Sequence, residues 1–462
     1  MRRTFAAILV LGLILGSGFI AIGWHSPIGA IGRPDAGVFD RTLVKRGAEL
    51  AAVGNCITCH TTRNGRPFAG GLPIPTPFGT IYSTNITPDE ETGIGRWSED
   101  AFRRALRQGV DREGRHLYPA FPYDHFTRVT DADAKALYAY FMTREPTSAV
   151  TPANHLVFPL NIRFLVAGWK LLFFRQGPYQ PDLARSEAWN RGAYLVEGLA
   201  HCGACHTPRN ALGAEKTNNG YAGGDAEGWT AYALNETSPA PVPWDVNALL
   251  QYLRKGWHDA HGIARGPMAE VIDNLAWVAD ADVQAIATYM AGIVGQPSDE
   301  RRRTGQALIA RVQADGPGAK PASAEVQATG QPGSQARGAG IYQAACANCH
   351  ESGRPLPFGG INLALSTGPS GPNARNVINV VLWGLPPTEG ERSPIMPGFA
   401  GVLNDQQLVE LLAYVRSRFS NQQPWAGIEK DIHDARTGNR PVMVHPAHGI
   451  GPADASHHEA ER

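Results

Sequence analysis

Neither sign of charge prevails in this chain of 462 residues: 42 Lys and Arg balance 42 Asp and Glu, and no long basic run occurs. The electrostatic footprint of a nucleic-acid binder is therefore missing, and no nucleic-acid partner is expected. Charged residues are only 18% of the total against 43% hydrophobic, so most of the length lacks the composition of a disordered protein. The length itself exceeds one ordinary domain and fits about three. Methionine and cysteine are both scarce, at six each. No cysteine is left for a disulfide framework, because all six fall in three pairs.

Each pair reads Cys-x-x-Cys-His: Cys56 and Cys59 with His60, Cys202 and Cys205 with His206, Cys346 and Cys349 with His350. This is the attachment signature of c-type haem, in which two thiols add across the vinyl groups and the adjacent histidine faces the iron. A zinc site would need a second ligand pair at matching spacing in each unit, and none is present. A thioredoxin-like pair does not require the histidine. Three covalently bound haems c are expected.

A phrase recurs ahead of each motif: Arg46-Gly47-Ala48, Arg191-Gly192-Ala193 and Arg337-Gly338-Ala339, with the glycine nine, ten and eight residues before the first cysteine. Each unit closes on an acidic start and a periodic apolar run containing tyrosine, from Asp131 to Phe141, Asp280 to Met290 and Asn404 to Phe419. The chain thus reads as helix, haem motif, long Gly/Pro-rich loop and closing helix, three times over.

The expected fold is mostly α, three tandem cytochrome c domains behind an N-terminal membrane anchor or signal segment. The expected boundaries are 1–30 for that segment, 40–145, 186–295 and 336–420 for the domains, 146–185 for an amphipathic connector, 296–335 for a flexible linker and 421–462 for a polar tail. Phe5 to Gly23 carries no charge over 19 residues and follows Arg2 and Arg3, which would stay in the cytoplasm and send the rest of the chain outward. A cleaved signal peptide is the alternative. Either way the cysteines would lie in the periplasm, and the expected location is the periplasmic face of the inner membrane.

A methionine opposite the histidine would complete an iron's coordination and favour electron transfer. Met268, in Gly266-Pro267-Met268, and Met396, in Met396-Pro397-Gly398, stand in Gly/Pro-rich loops between a haem motif and a closing helix. The first unit has Phe121 at that place. Phenylalanine cannot ligate iron, so the sixth ligand there is open, with His125 as the candidate, His116 a weaker one and an unfilled position the other outcome. Arg63, Arg209 and Arg354, just after the motif histidines, are candidates for a haem carboxylate.

These motifs, with Thr76-Pro77-Phe78-Gly79, Ser83-Thr84-Asn85-Ile86-Thr87-Pro88-Asp89, Gly93-Ile94-Gly95 and His206-Thr207-Pro208-Arg209-Asn210, resemble the three-haem cytochrome c subunits of membrane-associated bacterial dehydrogenases. The resemblance implies an electron-transfer subunit, itself not catalytic. Its electrons would come from a catalytic dehydrogenase subunit of molybdenum, quinoprotein or flavin type and pass to ubiquinone or another carrier. Phe121 departs from the alcohol and gluconate dehydrogenase branches, and Leu117 to Phe126 looks more like the branch accompanying molybdenum hydroxylases of aldehydes or N-heterocycles. Two other classes compete: a peroxidase-like haem enzyme or a sensor, either of them using an open first haem.

Overall fold

The structure, a computed structural model, describes residues 2–315, 332–354, 356–386 and 393–438, the side chains of residues 2, 6–15, 315 and 332 excepted. It divides into two compact units, one formed by the first 202 residues with Trp277–Asp282, the other by Gly203–Ala276 and the described residues from Val283 to 438. Both are mostly helical.

In the first unit α1 (Arg2–Gly23) precedes α2 (Arg41–Val53), whose N-terminus is capped by the Asp40 carboxylate, and α3 (Cys56–His60) bears the first motif. A hairpin of β1 (Pro73–Thr76) and β2 (Gly79–Tyr82) follows, with Pro73 opposite Tyr82. Next come α4 (Glu99–Gln108), capped by Ser98 and ended by Gly109 at φ 60°, the single turn α5 (Tyr123–Phe126), and α6 (Asp131–Met142), capped by Thr130. The connector adds β3 (His155–Leu156), paired with β2, and α7 (Val166–Phe173); α8 (Glu187–Glu197) then leads to the second motif. Among the described residues no helix is long and apolar enough to cross a membrane. The expected anchor rests largely on side chains 6–15, which lie outside them.

The second unit begins with α9 (Gly203–His206), the hairpin β4 (Gly224–Ala226) and β5 (Trp229–Ala231), and α10 (Val246–Lys255), ended by Gly256 at φ 75°. A tight pair, β6 (Trp257–His258) and β7 (Gly262–Ile263), leads to α11 (Pro267–Leu275) and α12 (Asp280–Val294). After α13 (Asp299–Asp315) the third motif is carried by α14 (Pro332–Ala345) and α15 (Ala347–His350), followed by α16 (Thr367–Ser370), α17 (Arg375–Trp383), α18 (Asp405–Phe419) and α19 (Ile428–Thr437). Its core gathers Tyr342, Ile378, Leu382, Leu408, Leu411, Leu412 and Ile432, all buried.

The recurring Arg-Gly-Ala phrase has a packing cause. A Cβ on Gly47 would lie 2.0 Å from the carbonyl oxygen of Ala136 in α6, and one on Gly338 would lie 2.2 Å from that of Glu410 in α18. The first and closing helices cross there at backbone contact, a spacing only glycine allows. The neighbouring arginine clamps the crossing. Arg337 reaches Glu410 at 2.6 Å, Arg191 holds Asp282 through two bonds of 2.7 and 2.8 Å, and Arg46 lies 3.4 Å from Asp133 of α6 and 3.3 Å from Asp282. Burial alone would push the Asp282 carboxyl up, but the Arg191 bonds and charge, with those of Arg46, hold it below its ordinary range.

Several expectations need revising. The loop between motif and closing helix contains a short amphipathic helix in every unit: α4, α10 and α17, each followed by a glycine at positive φ. Residues 299–315 of the expected linker form α13, which seats Leu308, Ile309 and Val312 against Val242, Ala260 and Leu365. The expected polar tail starts with α19, burying Ile428 and Ile432; residues 439–462, with four of the tail histidines, lie outside the described residues.

Two substitutions in α14 test the crossing. Gly338→Ala should destabilise by about 1–3 kcal/mol through overpacking. Gly340→Ala, where an added Cβ meets nothing within 4 Å, should stabilise by about 0.5–1 kcal/mol. Denaturant titration of both variants reads the difference, and equal effects would refute the close crossing.

Candidate haem sites

Each motif histidine is oriented by one backbone carbonyl. The Nδ1–H of His60 donates to Thr84 at 2.6 Å, that of His206 to Tyr232 at 2.7 Å and that of His350 to Ile361 at 2.8 Å. A carbonyl only accepts, so Nδ1 carries the proton and Nε2 keeps its lone pair. Burial lowers the pKa of all three rings, which keeps them neutral and fit to ligate a metal.

The accepting loops are themselves fixed. Gly70 N–H donates to His60 O at 2.7 Å, and Gly223 N–H to His206 O at 2.8 Å. Asn85, beside Thr84 and 2% exposed, donates to Thr92 Oγ1 at 3.0 Å and Thr147 O at 2.7 Å, and accepts from Thr87 N–H and Oγ1–H at 2.9 and 2.7 Å. This is the structural content of the Ser-Thr-Asn-Ile-Thr motif. None of the six cysteines, all described, forms a disulfide. Burial and the neighbouring Cys59 push the Cys56 thiol up to about 12, and burial with Cys349 pushes Cys346 up to about 11. Reactive thiolates of redox pairs shift the other way.

Ahead of the candidate ligand positions, the first two domains share one backbone frame. Leu117 N–H donates to Gly109 O and Ala264 N–H to Gly256 O, both at 2.7 Å and both across eight residues. Phe121 and Met268 each stand four residues further on, so the phenylalanine occupies the frame position of the methionine. Met268 begins a helix rather than lying in a loop, as the second residue of α11 behind Pro267. In the third domain Met396 pairs with Leu385 through two backbone bonds of 2.8 and 3.0 Å, directly after Gly384.

The histidines near Phe121 are partly committed elsewhere. His116 donates from Nε2 to Gly23 O at 2.8 Å and accepts at Nδ1 from Lys170 Nζ at 3.1 Å, so both nitrogens are used. Burial, then the Lys170 charge, lowers His116 to about 4, and burial lowers Lys170 to about 7. His125 has Nδ1 3.1 Å from Glu197 O and its ring 6.4 Å from that of His201. Arg209 donates to Gly213 O and Ala204 O, and Arg63 and Arg354 are exposed.

Other donors, not singled out by the sequence, fit an anionic cofactor better. The Nε1 of Trp229 and the Nε of Arg265 are both buried and find no acceptor among the described residues. Buried donors of this kind suit the carboxylates of a haem in the second domain. A Trp or Arg gives no motif of its own, and only their fold neighbours mark them.

Two family models match the chain: cytochrome c over residues 44–145, and cytochrome c oxidase, cbb3-type, subunit III over residues 333–415. A nicotinate dehydrogenase subunit of Pseudomonas putida is 43% identical over 431 residues, which cover 92% of this chain and 34% of that protein. The chain therefore spans about a third of that relative's length. The gluconate 2-dehydrogenase cytochrome c subunit of Pantoea cypripedii is 38% identical, over 85% of this chain and 89% of that one. The fructose dehydrogenase cytochrome subunit of Gluconobacter japonicus is 37% identical, with shares of 87% and 85%.

Asn85→Ala tests the support of His60. It strands the buried Thr87 amide and removes one of the two donors to Thr147 O, so unfolding should become easier by about 1–3 kcal/mol. Thermal unfolding of the haem-loaded protein measures it, and an unchanged midpoint would contradict the role given to Asn85.

Proposed function

Because the chain belongs to the cytochrome c subunits of dehydrogenases, we propose that it is an electron-transfer subunit with three covalently bound haems c, taking electrons from a catalytic partner and delivering them to ubiquinone or another respiratory carrier. The observation that carries this reading is the threefold Nδ1–H to carbonyl bond, which presents three neutral Nε2 atoms, each beside its cysteine pair. When bound, each haem supplies a one-electron iron couple. Cys56 and Cys59, Cys202 and Cys205, and Cys346 and Cys349 would hold the three covalently, and His60, His206 and His350 would ligate the irons. Met268 and Met396 would supply the second protein ligand in the second and third domains.

The first domain differs. Phe121 leaves its iron either open or ligated by His125, and His116 is committed to Gly23 and Lys170. The partner oxidises the substrate; the likeness to a nicotinate dehydrogenase subunit supports one acting on an N-heterocycle, and the run from Leu117 to Phe126 supports the molybdenum type. The chain works at the periplasmic face of the inner membrane with α1 as its anchor. The uncharged run from Phe5 to Gly23 supports this, and so do the exposed Ile20, Ile22 and Trp24 at its outer end.

Met268→Ala and Met396→Ala should each lower one midpoint potential and open one ferrous iron to carbon monoxide, as read by spectroelectrochemistry and gas titration. If both variants titrate like the parent, the ligand assignment is wrong. For the first domain, the ferrous parent should bind one carbon monoxide per chain if the site is open, and Phe121→Met should abolish it. If His125 is the ligand, the parent should resist and His125→Ala should bind one. Resistance in both would contradict the reading.

A further inference from the structure

Trp229 is the first residue of β5 and only 8% exposed, yet its indole N–H has no acceptor among the described residues. It lies against Gly266, two residues before Met268: a Cβ there would come within 2.5 Å of the indole nitrogen, and Gly266 has φ 58°. The backbone has been brought as close to this N–H as a residue without a side chain permits. Arg265 directly precedes Gly266, and its Nε–H is likewise buried without an acceptor among the described residues. Its other arm is used, since Nη2 donates to Gly384 O at 3.2 Å, across 119 residues of sequence.

Gly384 belongs to the Met396 loop. It has φ 69°, a Cβ on it would lie 2.4 Å from Met396 O, and the next residue, Leu385, is paired to Met396. The same two domains are joined a second time. Thr230 N–H donates to Asn376 Oδ1 at 2.8 Å, Asn376 Nδ2 donates back to Thr230 O at 2.9 Å, and Arg375 reaches Asp225 at 2.7 Å, which docks the β4–β5 hairpin on α17. That hairpin runs on to Tyr232, whose carbonyl orients His206.

We propose that Trp229 Nε1 and Arg265 Nε grip one carboxylate of the second domain's haem, and that Arg265, through Gly384, couples this haem to the methionine loop of the third. The inference rests on the reading that Met268 and Met396 hold the two irons. Arg265 is a positioning residue with a charge that matters: a cation beside an iron disfavours its ferric state, so losing it lowers the potential. Losing the Gly384 bond also loosens the Met396 turn, so the third couple moves as well. Trp229 touches only the carboxylate side.

The test is spectroelectrochemical titration of the full, haem-loaded chain. Arg265→Gln should shift two of the three couples, lowering the one that Met268→Ala identifies as the second haem and moving the one identified by Met396→Ala. Trp229→Phe, which keeps the ring and removes the N–H, should move the second couple alone. Arg265→Lys should hold the second couple closer to the parent than Arg265→Gln does while still moving the third, because an ammonium cannot serve both acceptors as the guanidinium fork does. The proposal is overturned if Arg265→Gln or, should that variant fail to fold, Arg265→Lys leaves the third couple in place, or if Trp229→Phe leaves the second unchanged. Failure of the ligation reading is separate: Met268→Ala and Met396→Ala would then leave every couple and the carbon monoxide resistance as in the parent.

Discussion

One hydrogen bond, made three times, carries the rest of the structure: the bond from a motif histidine's Nδ1–H to a backbone carbonyl far along the chain. It settles tautomer and ring orientation together, and leaves Nε2 as the only nitrogen available to an iron. The acceptor must be held as firmly as the donor. In the first domain this explains why a buried Asn85 saturates its amide with Thr87, Thr92 and Thr147 beside Thr84. In the second it explains why the β4–β5 hairpin is tied to α17 before it reaches Tyr232.

The helical frame answers a different constraint. First and closing helices must come close enough for a short chain segment to enclose a large flat cofactor, and Gly47 and Gly338 bring them to backbone contact. Such an approach leaves charge partly buried at the crossing: Arg46 and Arg191 meet the Asp282 carboxylate, and the exposed Arg337 answers the buried Glu410. An unpaired charge there would be costly, so the arginine accompanies the glycine in each repeat.

What the sequence made legible follows from locality. The three motifs, the repeated phrase, the closing helices and the candidate methionines are each contained in a few adjacent residues, and the structure puts Phe121 at the frame position of Met268. The short helices α4, α10 and α17 were hidden because nine or ten residues among glycines and prolines show too few turns to stand out. α13 was hidden because its polar composition resembles a tether, while three residues, Leu308, Ile309 and Val312, seat it. His116 looked like a possible ligand only until Lys170, 54 residues away, came to its Nδ1. Arg265 and Trp229 carry no local pattern at all, since their meaning depends on Gly266 and on Gly384, the latter over 100 residues off.

The central claim is that one chain carries three irons, each on its own histidine, and exchanges one electron at each. Coulometric reduction of the purified, matured full-length protein tests it most directly. The account predicts uptake of three electrons per chain, in steps that do not all coincide because the first site differs from the other two. Uptake of two electrons or one by fully matured protein would contradict it.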